Sequence, residues 1–258
     1  MRLIFDKNML RHINESAIAE SGAASWGMLT LETLLNRRFV VGILWLVESI
    51  LSRLLTLPIP FYSALVYGYV TNARGLPSIH GMYLRGLYYR RKLRAMEPNV
   101  FIDQGVFIAH PDTLTLKEFA FLDKGVTIMA KNVIVGRRVH IAPNVFVSGG
   151  GELEIEDYAC VATNTSIITS TEILRDGARC SGPMVSADQR NVHRGKVLIK
   201  KDAFVGPSVT ILPDVTISEG SVVASGVSVS KSTDPWGVYV GAKAALISQR
   251  DEVRHPDN

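Results

Sequence analysis

Side chains able to move protons or bind metals are sparse in this sequence, and their spacing says more than their number. Cys160 and Cys180 cannot build a four-thiolate zinc site or a disulfide framework, which points to a reducing compartment. His110, His140 and His193 stand in separate stretches, too scattered for a zinc site, so no metal is expected. His110, between Ala109 and Pro111, reads as a structural residue, and His140, directly before Ile141, as an exposed corner residue. Gly149-Gly150-Gly151 lacks the G-x-G-x-x-G pattern and any Walker lysine. It reads as a wide corner that leaves room for a ligand. The polar stretch Ser170–Val197, with Gly177, Gly182, Pro183 and Gly195, holds two groups suited to acid–base work, Glu172 and His193. Each reads equally well as an ordinary solvated loop residue.

The elements that would position these groups follow from a repeat. From Ile199 the apolar anchors recur every six residues: Ile199, Val205, Ile211, Ile217, Val223 and Val229. The residue four further on is small or β-branched: Ala203, Val209, Val215, Ser221, Val227 and Thr233. Shorter blocks precede them: Ile102–Ile108, Leu116–Leu122–Ile128, Val135–Ile141–Val147 and Ile155–Val161–Ile167. Three anchors fit one triangular coil of about 18 residues. Stacked coils would line up aliphatic columns and pair as parallel sheets. The fold class expected is mainly β, a left-handed parallel β-helix preceded by an α-helical N-terminal region. An ordinary sandwich would show period two and hairpin turns instead. The segment 170–197 interrupts the step and reads as an external loop, a common place for function.

Three segments carry a resemblance to a known family. They are Val205 to Gly226, the segment Asp234-Pro-Trp-Gly-Val-Tyr-Val-Gly241, and Ser181 to Ser186 with Asn191-Val-His-Arg-Gly195. Together, over about Asn99–Arg250, they resemble the hexapeptide-repeat acyltransferases, in particular the sugar O-acetyltransferase branch of maltose and galactoside acetyltransferases. The resemblance implies acetyl-CoA as co-substrate, a sugar acceptor, a homotrimer and an active site in a groove between subunits. It also implies a histidine at the base of the external loop. Here that stretch is Ile168-Thr-Ser-Thr-Glu-Ile-Leu174, with Glu172 at the histidine's place. Three readings stay open. Glu172 is the base, provided burial raises its pKa; His193 replaces it; or the acceptor is an amine that needs little help. Cofactor contacts fall on Gly206, Ser208, Ala224, Ser225 and Gly226, whose small size lets a pantetheine arm approach or simply suits a corner. Lys243 and Arg250 would meet the CoA phosphates. Trp236 would stack on adenine or cap the open apolar end. The function expected is O-acetylation of a bacterial surface-polysaccharide sugar. The alternatives are N-acetylation of a nucleotide-linked amino sugar and a non-catalytic scaffold.

Composition sets the outer limits. The 258 residues, 47% hydrophobic and 20% charged, exclude a disordered chain. A net charge of +4 is too modest to argue for nucleic acid. Asp6 and Lys7 interrupt the apolar start, unlike a signal peptide. The expected organisation is a helical region 1–97, a solenoid 98–250 with the loop 170–197, and a polar tail 251–258. The apolar stretch Phe39–Val70 is broken by Glu48, Pro58 and Pro60, and a basic, aromatic helix follows at Tyr83–Arg94. Together they read as an interfacial membrane element within 39–94, or as helices packed on the solenoid or at a trimer axis. The location expected is cytoplasmic, with contact to the inner face of the membrane.

Overall fold

The structure, a computed structural model, describes residues 3–12, 33–72, 78–182 and 184–241. The six-residue repeat builds a parallel β-solenoid of about seven turns, matching the left-handed β-helix fold. Three faces run its length. The first contains Ala95–Met96, Leu114–Leu116, Val133–Val135, Glu152–Ile155, Lys196–Ile199 and Thr216–Ile217. The second passes from Phe101–Ile102 through His140–Ile141 and Phe204–Val205 to Val238–Tyr239. The third passes from Phe107–Ile108 through Ser166–Ile168 to Ser228–Val229.

The anchors stack as the repeat requires. On the first face Leu116 pairs with Val135, Val135 with Ile155, Ile155 with Ile199 and Ile199 with Ile217. All five are fully buried. Each strand is two to four residues long; the two-residue strands of the solenoid core turn one side chain inward, and the longer strands of the first face turn two, as Leu153 and Ile155 do. The fourth-position residues from Ala203 to Thr233 are buried at the corners. Those corners turn through left-handed backbone: Asn99, Asn144, Ser208 and Asp214 have φ of 59°, 60°, 58° and 65°, each directly after a proline. Proline presets the first central residue of such a turn, and Asn or Asp tolerates positive φ at the second.

The extra residues between blocks all fall at one vertex, where the third face returns to the first. Ile128 to Val135 spans seven residues instead of six, and Val147 to Ile155 spans eight. The external loop leaves from this same vertex, between Ile167 and Ile199. Two boundaries move. Ala95–Met96 already pairs with Thr115–Leu116, so the first strand lies inside the expected helical region. Val197 pairs with Leu153 and is fully buried, so the loop closes before it.

Of the helices that precede the solenoid, three lie directly before it: α1 (Arg38–Leu55), α2 (Pro60–Asn72) and α3 (Ser78–Tyr89). α3 plugs the open N-terminal end, where Tyr88, Tyr89 and Leu93 continue the solenoid core. Arg85 is 1% exposed; its Nε donates to the Ile102 carbonyl at 2.6 Å and its Nη2 reaches Asp103 at 3.4 Å. Of the readings left open for Tyr83–Arg94, this selects a helix packed on the solenoid over a lipid-facing one. The helix stops at Tyr89, and its central arginine and two tyrosines are turned inward because the bare end of the solenoid needs covering. At the other end Trp236 does not cap the apolar core. It lies against Gly220 at a corner, 68% exposed.

Two substitutions separate columns from corners. Ile141→Ala, in a fully buried column, should cost about 2–5 kcal/mol. Asn144→Val, at φ 60°, should cost about 1–2 kcal/mol without opening a cavity. Urea unfolding followed by circular dichroism reads both; equal losses would contradict the columnar core.

Candidate active site

The loop leaves the solenoid through a zipped stem. Ser170–Glu172 pairs antiparallel with Val192–Arg194, with Thr171 opposite His193 and Glu172 opposite Val192. Residues directly opposite share a face and neighbours alternate. Glu172 and His193 therefore project from opposite faces of the stem, and a ligand on one face meets only one of them.

The stem needs close backbone approach. A Cβ on Gly151 would lie 2.2 Å from the carbonyl oxygens of Thr169 and Gly195, and one on Gly149 would strike Ser170. The Thr169 hydroxyl, fully buried, donates to the Ser148 carbonyl at 2.8 Å and accepts from the Gly151 amide at 3.1 Å. The triple glycine is thus filled by the loop's own base. This corrects the expectation of a wide corner left open for a ligand.

The two candidate bases have different surroundings. Glu172 Oε2 accepts from the Ser181 hydroxyl at 3.0 Å, a bond that ties the stem to the loop it carries. His193 faces the solenoid wall, and its Nε2 lies 2.5 Å from Asp214 Oδ2. Asp214 occupies the same vertex one coil further on, and its Oδ1 accepts the Lys196 amide at 3.1 Å. The His193 hydrogen bond holds the Asp214 carboxyl below its ordinary value, against the opposing effect of desolvation. A Cβ on Gly195 would lie 2.2 Å from Asp214 Oδ1, so glycine there lets the carboxylate in. With Nε2 on a carboxylate, Nδ1 is the ring nitrogen left to take a proton from a ligand. An imidazole so oriented has the geometry of a general base.

The sequence reading missed Asp214, which looks there like one more corner residue in Leu-Pro-Asp-Val. Its only signal was that Gly195 and Asp214 fall at one vertex on successive coils, which becomes visible once the coils are stacked.

The small residues expected to meet the cofactor gather at a different vertex, between the second and third faces. Gly206 stands above Ala162 and below Ala224 in the ladder, and the Gly226 amide donates to the Pro207 carbonyl. Gly206 is buried and packed against the backbone of Val223–Ser225, whereas Ser208, Ser225 and Gly226 are exposed. Gly226, at φ 72°, has nothing within 4 Å of its Cβ position. Lys243 and Arg250 lie outside the described residues. One chain therefore places the proton-transfer pair and the small-residue column on separate vertices, with the third face between them.

No protein-family model matches the chain. Over 114 residues it is 33% identical to a dTDP-4-amino-4,6-dideoxy-D-glucose acyltransferase of Escherichia coli, 44% of this chain and 59% of that protein. The chain thus spans somewhat over half the length of that curated relative. Among solved structures it is similar to variants of AntD, an N-acyltransferase from Bacillus cereus. One complex, with dTDP and coenzyme A, superposes with a TM-score of 0.55 at 27% identity, covering 63% of this chain and 87% of that one. Another, with dTDP-4-amino-4,6-dideoxyglucose and coenzyme A, gives 0.51 at 27% identity over 62% and 85%. Coil geometry and relatives together define the class: a hexapeptide-repeat protein with the left-handed β-helix fold of acyltransferases. Of these likenesses, the E. coli relative is named for acyl transfer to an amino sugar nucleotide and AntD as an N-acyltransferase.

Gly195→Ala tests the construction of the pair. The new methyl would push the Asp214 carboxylate away from His193 and the Lys196 amide. Any activity that depends on the pair should fall to the level of Asp214→Ala, with the melting temperature little changed because the carboxylate that must move is mostly exposed. Activity at the unsubstituted level would show that the carboxylate is not needed there. The depressed Asp214 pKa sets the pH sense: the pair's contribution is complete above the ordinary carboxylate value of 3.8 and is lost as pH falls through the lowered one. The protection of the Lys196 amide, its exchange measured against the intrinsic rate at each pH, should fall only in acid.

Proposed function

We propose that the protein is an acyl-CoA-dependent acyltransferase whose acceptor is the amino group of a nucleotide-linked sugar, with acetyl-CoA the simplest donor. The observation that carries acyl transfer, whichever atom accepts, is the His193–Asp214 pair at the vertex that bears the external loop. The N-acyl assignment draws support from the E. coli relative and from the AntD complexes that hold an amino sugar nucleotide with coenzyme A.

The chemistry balances on the groups present. The acceptor nitrogen attacks the thioester carbonyl carbon, a C–N bond forms, and the C–S bond breaks as the intermediate collapses. His193 Nδ1 takes the proton from nitrogen and returns it to the departing sulfur, leaving an amide and free coenzyme A thiol. Asp214 holds the ring and stabilises the imidazolium that forms in between. The exposed column of Ser208, Ser225 and Gly226 would take the pantetheine arm, with Lys243 and Arg250 toward the phosphates. Because this column and the pair stand on separate vertices, a second copy of the chain would complete each site, in keeping with a homotrimer. Glu172 acts through Ser181 on the loop's shape and is a positioning residue in this scheme. Both substrates are cytoplasmic metabolites, so the proposed place is the cytoplasm, and the product would serve a surface polysaccharide.

O-acylation is the second reading. The pair itself favours it, since a hydroxyl needs a base more than an amine does.

Thiol release from acetyl-CoA with dTDP-4-amino-4,6-dideoxyglucose, and with hydroxyl sugars, separates the readings. Release with the amine alone supports N-transfer; release with hydroxyl acceptors alone selects O-transfer; none with any acceptor leaves a scaffold. His193→Ala should lower kcat about a hundredfold and Asp214→Asn about tenfold or more, with KM for acetyl-CoA little changed. Glu172→Gln should alter KM for the acceptor more than kcat. Full kcat in His193→Ala would remove His193 as the base.

A further inference from the structure

α1 is built inside out. Its two buried residues are polar, Glu48 and Ser52, at 3% and 1% exposure. The Glu48 carboxylate accepts from the Ile4 amide, the Tyr83 hydroxyl at 3.0 Å and Arg90 Nη1 at 3.1 Å. Ser52 Oγ donates to the Leu87 carbonyl at 2.7 Å. The opposite face is apolar and exposed: Phe39 at 78%, with Ile43, Leu46, Val47, Ile50 and Leu54 around it. α2 follows after a bend of 117° and adds an exposed stripe at helical spacing, Phe61, Leu65 and Tyr69. A helix in water turns its apolar side to the protein. Here polar anchors hold the helix from behind while the apolar side is presented outward.

The flank of this surface is cationic. A cavity of about 290 Å³ beside α1 is lined by Trp45, Ser49, Arg53, Arg90 and Arg91 among others. At helical spacing, Arg38, Ser49 and Arg53 fall along one border of the apolar face. Between Thr33 and Met96 the sole acidic residue is Glu48, and it is buried and engaged.

We infer that α1 and α2 lie in the plane of an anionic bilayer, with Leu46, Ile50 and Phe61 among the acyl chains and Arg53 and Arg91 on lipid phosphates. Charge complementarity selects the occupant. A second copy docked on this surface would bring arginine borders together with no exposed carboxylate between Thr33 and Met96 to face them. Lipid phosphates supply that charge, and acyl chains accept the apolar face. No single described helix is long and apolar enough to cross a membrane, and the 117° bend suits a pair that lies on one leaflet. The inference is independent of the proposed reaction, since it rests on a surface away from the loop vertex.

The test is co-sedimentation of the full chain with vesicles of phosphatidylglycerol and phosphatidylethanolamine, against phosphatidylcholine alone. Binding to the anionic vesicles should be strong and should weaken with salt. Leu46→Gln with Ile50→Gln should weaken it at least tenfold. Arg53→Gln with Arg91→Gln should weaken it about fivefold per arginine on anionic vesicles and leave phosphatidylcholine unchanged. All four side chains are exposed or border the cavity, so unchanged thermal melts should confirm that the variants fold. Absence of vesicle binding overturns the inference. So does concentration-dependent self-association that Leu46→Gln with Ile50→Gln abolishes while vesicle binding persists in that variant, because the surface would then belong to a second copy.

Discussion

The structure depends on one steric constraint: each side of a triangular coil must turn its aliphatic side chains inward in step with the coils above and below, and each corner must reverse direction within a few residues. An anchor every six positions meets the first demand. Left-handed backbone at the corners, supplied by Asn, Asp, Ser or Gly after a preset turn residue, meets the second. The interior is then a set of columns such as Leu116, Val135, Ile155, Ile199 and Ile217, in which each side chain packs on the one above and the one below. A residue too many in a side would break the column, so length variation is pushed to corners. In this chain it is pushed to one corner, and the external loop leaves from that corner, where the fold tolerates insertion.

That arrangement explains how an exposed imidazole is oriented by a rigid wall. The loop stem zips back on itself and delivers His193 to the vertex. The next coil presents Asp214 there from a corner whose conformation is already determined by Pro213 and positive φ. The proton-transfer pair thus joins a loop side chain to a scaffold side chain. The loop can vary in sequence without moving the carboxylate, and the glycines at 149, 151 and 195 exist to let the stem come close enough.

The N-terminal helices show the same logic with the polarity reversed. An open solenoid end is apolar, and α3 with the turn after it covers it with Tyr88, Tyr89 and Leu93 while Arg85 satisfies carbonyls at the rim. α1 then has only a polar rear surface to sit on, and Glu48 and Ser52 meet it. Its apolar face is left outward by construction. A burial pattern of this kind, carboxylate in and leucine out, distinguishes a helix held for an apolar environment from one that contributes to a core.

The sequence by itself determined the coil, the anchors and the position of the long insertion, because a six-residue period has one regular packing solution and needs no partner outside the repeat to be recognised. It also pointed to His193 and to the small residues Gly206, Ala224 and Gly226. It could not tell which of Glu172 and His193 faces the wall, because that depends on the antiparallel register of a stem whose strands lie twenty residues apart. It could not reveal Asp214, which resembles every other corner residue until stacking sets it beside the loop. It left open where Arg85, Tyr88 and Tyr89 face, since a basic aromatic helix looks the same whether its face meets lipid or the uncovered end of a core. Local spacing encodes which residues share a column. Only tertiary structure decides which columns, corners and helix faces are brought together, since those contacts depend on distances that the period does not contain.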